Sequence, residues 1–404
     1  LETLQTWAPA SEARRQSLIA AHMPSQARPR RRTLGSSSLE VCEVCLGTMT
    51  MGSMTADEGD CHEILSKYVE LGGDFLDCAE MYPVPVQEKW VGRSEEIIGT
   101  WLAGRSDRDR LVIATKVVGP RAGAKKEAPP SRERALDGDP QAAPSEADLT
   151  RAQILRACDA SLKRLQTTHI DLYQIHWPER WVPKWGESQY VAAKAEAGAH
   201  TLEGFDAVVS TMGELLSSGK IKHWGLSNET TFGVCMFVEA SRRLGVAPPI
   251  SIQNDFSLCF RTFESELAEA CAPAHCNVSL LAYGVLNGGA LSGKYLDGSA
   301  SPGARFNFVQ QLDMGGFQGR YKGEQSNAAI REYAALAQSI GVQPAALAQA
   351  WAYSREYMGA VIIGATSVAQ LEANWAAAKL ELSADTLAKI DEIHVRHRNP
   401  NLTD

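Results

Sequence analysis

No apolar run in this chain reaches the roughly 20 residues needed to cross a bilayer, so a membrane-spanning helix is excluded and a soluble chain is expected. Positive charge is scarce: 40 Lys and Arg stand against 48 Asp and Glu, a net charge of -8. A nucleic-acid partner, which needs a basic face, is therefore not expected. Paired cysteine motifs are also lacking. Of nine cysteines, only Cys42-Glu43-Val44-Cys45 has the spacing of a redox or zinc motif, and no second pair completes it; Cys271 and Cys276 stand apart. Neither a metal site nor a disulfide framework follows, and reduced, buried thiols are the expectation. No fixed-period repeat is present, which excludes a solenoid.

The chain has the makings of a packed core, with 44% hydrophobic and 22% charged residues. Its 404 residues suit one large domain or two medium ones. The first forty residues differ from the rest: Arg14, Arg15, Arg28, Arg30, Arg31 and Arg32 outnumber Glu2, Glu12 and Glu40, among several Ser, Ala and Pro. Basic, acid-poor N-termini resemble organellar transit peptides. Residues 1–32 are expected to be a targeting or disordered segment and 399–404 a tail, with the domain at 33–398. The matching location is a chloroplast or other organelle stroma or matrix, the cytoplasm being the alternative.

Short β-branched or apolar runs at 41–47, 74–77, 111–116, 170–176, 221–226, 250–253, 278–283 and 360–363 read as strands. Helical spacing predicts helices near 57–71, 93–104, 149–165, 203–218, 231–244, 264–272, 325–340 and 367–378. In the third, Ile154, Cys158, Leu162 and Leu165 share a face; in the fourth, Phe205, Val208, Val209, Met212 and Leu216 do. Eight such strand-helix units point to an α/β fold, a (β/α)8 TIM barrel in a single domain. Helix-to-strand connections are short, whereas 117–148, 177–202 and 284–324 are long and leave the carboxyl ends of strands. That is the face where barrel enzymes build their sites. The 117–148 insertion, rich in Ala, Pro and mixed charge, is assigned no chemistry.

The strand ends carry complementary groups. The second ends in Asp77-Cys78-Ala79-Glu80-Met81-Tyr82, the third in Ala114-Thr115-Lys116, the fourth in Gln174-Ile175-His176-Trp177-Pro178. Alone, such an Asp is often a helix cap, such a Lys a surface group, such a His or Tyr structural. Together, a carboxylate, a phenol, an ammonium and an imidazole on one rim suit carbonyl reduction. Hydride arriving at a carbonyl carbon leaves an alkoxide that needs a proton. A phenol with an ordinary pKa of about 10 holds that proton at neutral pH, and a neighbouring ammonium stabilises the phenolate.

These words, with Leu46-Gly47-Thr48-Met49, Trp224-Gly225-Leu226-Ser227-Asn228-Glu229 and Gly364-Ala365-Thr366, resemble the aldo-keto reductase superfamily over about 33–398. The likeness is to its bacterial Tas-like branch, with potassium-channel β-subunits as cousins. The resemblance implies a catalytic tetrad of Asp77, Tyr82, Lys116 and His176 with Tyr82 as general acid, and an NADPH (NADP+) cofactor without metal. It implies that Thr48, Met49 and Asp77 lie near the nicotinamide, that Ser227, Asn228 and Gln253 bind its carboxamide, and that Phe256 stacks on its ring. Tyr283, Gly284, Leu286, Gly288 and Lys294 match a loop that clasps the pyrophosphate. Gly364, Ala365 and Thr366 open a helix whose N-terminus suits a phosphate, with Gln370 and Asn374 at the adenine end.

The chain departs from that pattern in places. Glycine stands at 284 where serine is usual, Asp255-Phe256 replaces Pro-Tyr, and Ala373 replaces an acidic adenine contact. No arginine opens the last barrel helix, so preference for the 2′-phosphate rests on Thr366, Lys294 and Arg305. The partner is a small-molecule carbonyl compound. Met49, Met81, Trp177, Trp181 and Trp185 offer an apolar wall for it, or equally anchor their own loops. Two other readings stand beside the reductase: an NADP(H)-binding, redox-sensing subunit of a larger assembly, and a hydrolase or aldolase on the same barrel, the aldolase using Lys116 as a Schiff base. Oligomeric state is not legible in the sequence.

Overall fold

Eight apolar runs become parallel strands that pair edge to edge and close on themselves. In the computed structural model, β3 (Val44–Gly47), β4 (Phe75–Asp77), β5 (Val112–Val117), β6 (Ile170–Ile175), β7 (Ile221–Ser227), β8 (Ser251–Asp255) and β9 (Ser279–Tyr283) follow in order. β10 (Met358–Gly364) joins β9 back to β3. The structure describes residues 29–87, 89–119, 149–196, 202–296, 298, 300–312 and 318–403. Expectations for residues 1–28 and for 120–148 of the insertion lie outside them. Strands buried on both faces lose the polar alternation of a half-exposed sheet, which is why they read as continuous apolar runs.

The helix after each strand packs outside the barrel. In order these are α1 (Glu58–Glu70), α2 (Arg93–Ala103), α3 (Arg151–Leu165), α5 (Leu202–Ser217), α6 (Thr231–Leu244), α7 (Glu266–Cys271), α10 (Pro344–Tyr353) and α11 (Val368–Ala377). Short α4 (Ala192–Glu196) and α8 (Arg305–Gln311) sit in the long connections, and α9 (Glu324–Ser339) and α12 (Ala384–Arg396) pack on each other. The seventh unit differs from the expectation. The helix foreseen at 325–340 exists as α9, but α10 is the one against β10 and α11. Every residue of α10 from Leu347 to Tyr353 is buried, so it shows no polar face to set a helical period.

Alternation along each strand sorts the barrel interior into layers. Toward the amino ends, Cys45, Phe75, Val112, Ala114, Leu172, Leu281 and Ala360 form one apolar cluster. Two residues further along the same faces stand Gly47, Asp77, Lys116 and Gln174, and Gln253 joins them by contact. The polar site thus rests on an apolar floor.

That floor is sealed by a hairpin whose first two residues precede the expected domain start at 33. β1 (Arg31–Thr33) and β2 (Glu40–Cys42) form an antiparallel hairpin, and its Leu34 and Val41 belong to the inner cluster. Arg31 bonds Asp74 at 2.6 Å and Arg32 bonds Glu43 at 3.3 Å. The expected boundary between 32 and 33 therefore cuts through a strand, and the run 41–47 is two strands. The other end needs the same correction. Residues 399–403 are no loose tail: Asn401 is fully buried, and Thr403 N–H donates to the Gly186 carbonyl at 2.9 Å. Cys42 and Cys45 are buried free thiols, and burial raises both pKa values, that of Cys42 to about 12. No cluster of three or more metal-binding side chains occurs among the described residues.

Candidate active site

Lys116 is fully buried on β5, and Asp77 is 2% exposed at the end of β4. A lysine so placed keeps its charge only against a partner. Its ammonium donates to Asp77 Oδ2 at 2.7 Å and to the Cys78 carbonyl at 2.6 Å. The other carboxylate oxygen accepts from Gln253 Nε2 at 2.8 Å and Gln174 Nε2 at 3.2 Å. Burial is the largest single influence and opposes the charge on Lys116, but Asp77, Tyr82 and Cys78 together outweigh it and lift the pKa to about 12. The ion pair and two amides form one closed network.

Tyr82 reaches this network from the turn after β4. The Lys116 ammonium lies 4.9 Å from the centre of its ring. Burial pushes the phenol up to about 12, while the charge and hydrogen bond of Lys116 pull against that rise. The His176 ring stands edge-on to Tyr82 at 5.7 Å. Burial first, and then the Lys116 charge, hold its pKa well below the usual value, so the imidazole is neutral. Its Nδ1 is buried with no hydrogen-bond partner. Carboxylate, ammonium, phenol and neutral imidazole thus meet at one mouth of the barrel.

Above them opens a cleft of about 1450 Å³, bounded by Met49, Met81, Tyr82, His176 and Trp177 at one end and by Gly364, Ala365, Thr366, Gln370 and Asn374 at the other. Between lie Ser227, Asn228, Gln253, Tyr283, Gly284, Leu286, Gly288 and Lys294. Asn228 Nδ2 donates to the His176 carbonyl at 2.8 Å, and its Oδ1 accepts from the Tyr283 hydroxyl at 2.6 Å. Ser227 Oγ donates to the Gln253 carbonyl at 2.8 Å. At the far end, Ser367 caps α11. The Gln370 side-chain oxygen accepts from Thr366 N–H at 3.0 Å, which marks that helix start as a donor site for an acceptor oxygen. Asn374 donates to the Gly364 carbonyl at 3.1 Å.

Two expected cofactor residues do not border the cleft. Phe256 is fully buried, stacked on Trp351 at 5.0 Å. On β8 the side chains of Gln253 and Asp255 share the inner face, so Phe256 belongs to the outer one. On the neighbouring strand β9, Tyr283 does face the cleft, in phase with Leu281 of the inner cluster. Thr48 is also fully buried, its hydroxyl on the Asp77 carbonyl at 3.0 Å, so it fixes a strand end instead. Sequence reasoning passed over Gln174, although it is in phase with His176. It also passed over Lys184, Arg320 and Thr403, which border the cleft from segments without a pattern.

Charge is distributed unevenly. Lys184, Lys294, Arg305 and Arg320 border the cleft, Arg320 being paired with Asp255, while Asp77 is the acidic residue that borders it and is paired with Lys116. No acidic partner within 4.0 Å is found for Arg305 among the described residues; it stands over Gly364, with Nη2 3.6 Å from where a side chain there would begin. Burial lowers its pKa, and nearby tyrosines act against that. An acidic protein with an electropositive cleft is built for an anion. Gly288 and Gly289 have φ of +64° and +102°, a backbone that brings amides close to such a ligand.

Comparison with known proteins agrees with this geometry. Protein tas of Escherichia coli strain K12 is 37% identical over 364 residues, covering 90% of this chain and 97% of its own length. A Schizosaccharomyces pombe protein named for a voltage-gated potassium channel subunit beta is 27% identical, covering 90% of this chain and 92% of its own. Norsolorinic acid reductase stcV of Emericella nidulans is 25% identical, covering 88% and 79%. Residues 43–395 match the aldo/keto reductase family as a whole. The chain belongs to the aldo/keto reductase family and is an oxidoreductase of its Tas-like branch.

Proposed function

We propose that this protein reduces an aldehyde or ketone to an alcohol with NADPH, Tyr82 giving the proton. The observation that carries the reading is the buried Asp77–Lys116 pair beneath Tyr82, at the end of a cation-bordered cleft. The cleft residues fit a dinucleotide: amides and hydroxyls near His176, a glycine turn in the middle, and Lys294, Arg305 and the start of α11 at the far end. When bound, the nicotinamide supplies the hydride.

The protein supplies the proton and the geometry. With a pKa of about 12, Tyr82 stays protonated throughout the physiological range. As negative charge develops on the substrate oxygen, the phenol gives up its proton, and the Lys116 ammonium stabilises the phenolate left behind. Asp77 and the two glutamines keep that ammonium in place. A neutral His176 can hydrogen-bond the substrate oxygen without bringing a rival charge. Met49, Met81 and Trp177 offer the carbonyl's side group an apolar wall.

Titration with NADPH and NADH, followed by tryptophan fluorescence, and turnover of a panel of aldehydes and ketones test the reading. Arg305→Gln is expected to weaken NADPH binding roughly 10–100-fold, the share of one charge-assisted contact, and NADH binding far less. A protein that neither binds NADPH nor reduces any carbonyl in the panel contradicts it. The alternative, a cofactor-binding subunit of a larger assembly, draws on the Schizosaccharomyces pombe relative. Stoichiometric capture by a channel without turnover would favour it.

A further inference from the structure

We infer that Asp255 is a positioning residue which, through Arg320 and Tyr321, fastens the chain covering the glycine turn and so sets how long a dinucleotide stays in the cleft. The inference rests on the proposed reading of the cleft as a dinucleotide site.

Asp255 ends β8 on the inner face and is 6% exposed. Its Oδ2 accepts from Arg320 Nε at 2.9 Å and from the Tyr321 hydroxyl at 2.8 Å. Arg320 Nη2 donates to that same hydroxyl at 2.7 Å, and the guanidinium lies 4.3 Å from the centre of the Tyr321 ring. Arginine and tyrosine lie on the limb that leads into α9, 65 and 66 residues further along the chain. That limb covers the glycine turn. A side chain added at Gly288 would meet Gln318 Oε1 at 2.9 Å. The limb after β9 is therefore fastened to the neighbouring strand, directly over the place proposed for the phosphates.

Arg320 is also where other cover meets. A side chain at Gly186 would stand 3.0 Å from Arg320 Cβ, 3.1 Å from the Asn401 carbonyl and 3.2 Å from Thr403 Oγ1. The loop after β6, the C-terminal segment and the aliphatic base of Arg320 on the return limb thus converge at Gly186. Trp185, beside Gly186, is held at a φ of +58°, an unusual conformation for so large a residue.

Gly284 completes the lock. Its φ is +73°, and a Cβ there would stand 2.3 Å from Asp255 Oδ1 and 2.8 Å from the Tyr321 hydroxyl. No side chain can occupy 284 while the carboxylate holds this position. Two of the places where the sequence departs from the pattern it resembles, 255 and 284, are therefore one device. Stability alone gives little reason for it: a buried ion pair gains little over an apolar replacement, and Asp255 Oδ1 has no hydrogen-bond partner at all. What the pair does provide is a fixed limb.

Asp255→Asn, Arg320→Gln, their double variant and the milder Arg320→Lys test this by two readouts. The first needs no cofactor: amide hydrogen exchange over 318–323 and 401–403 is expected to quicken at least tenfold in Asp255→Asn, and less in Arg320→Lys. Unchanged exchange in both overturns the anchoring. The second is stopped-flow release of NADPH. In Asp255→Asn, release and KM for NADPH are expected to rise about tenfold with kcat kept within twofold, and the double variant to be no worse than the more affected single one. A fall in kcat with KM unchanged marks a merely structural role and overturns the inference, as does unchanged release from a protein that binds NADPH. Failure of the parent protein to bind NADPH removes the proposed function instead, and the exchange result still decides the anchoring.

Discussion

A buried lysine is tolerable only in company, and Lys116 shows what that company must be. Asp77 neutralises it, and Gln174 and Gln253 fill the remaining acceptor on Asp77. Asp77→Asn leaves a charge buried without its counter-ion and is expected to lower the unfolding free energy by about 3–5 kcal/mol in urea titration. A loss below about 1 kcal/mol would mean that the ammonium finds another partner. The carboxylate, ammonium, phenol and imidazole that meet at the mouth were legible because Asp77, Lys116 and His176 stand at or next to strand ends and Tyr82 follows in the same distinctive run as Asp77. Gln174 was not, since a glutamine in an apolar strand carries no label until its bond to Asp77 is seen. Phe256 misled for a simpler reason: a stacking aromatic was expected, and strand parity, which favours Tyr283, was not applied.

At the scale of elements, strands were legible and their outer partners less so. Runs such as Ile170–Ile175 are buried along their whole length, and short length with β-branching separates them from helices. α10 is buried from Leu347 to Tyr353 and so lost its period, while α9, with one exposed face, kept it and was taken for the barrel helix. The hairpin and the C-terminal segment were missed because three-residue strands and a packed coil leave no pattern. α10 nonetheless carries much of the packing. Trp351 is fully buried, stacked on Phe256, with Arg261 and Arg355 over its ring at 5.0 and 5.3 Å. Trp351→Ala is expected to cost about 3–5 kcal/mol. Gln349 of the same helix donates to Asn374 at 2.9 Å, so the end of the cleft beside α11 should loosen too. Calorimetry and NADPH titration of that variant check both effects.

For the whole molecule, protonation links the site to stability. His169, His176, His223 and His394 all have pKa values lowered, with burial the largest cause in each. Each is therefore neutral in the folded protein at a pH where the unfolded chain, with an ordinary pKa near 6.5, already takes up a proton. Stability is thus full above about pH 6.5 and falls as pH drops below it. Asp171, whose pKa is lowered because Arg108 and other partners overcome its burial, loses its contribution only in the acid range below about 4. Melting temperature should fall between pH 7 and 5, and His176→Gln should make that fall shallower. An unchanged slope would place the proton uptake elsewhere.

One phenol is proposed to act as the acid beside one ammonium at the mouth of the barrel. Turnover and NADPH affinity of Tyr82→Phe, measured on the same preparation, test this most directly. The variant should bind NADPH as the parent does and lose roughly 10²–10⁴ in kcat, the usual share of a general acid. Carbonyl reduction at the parent's rate would contradict it.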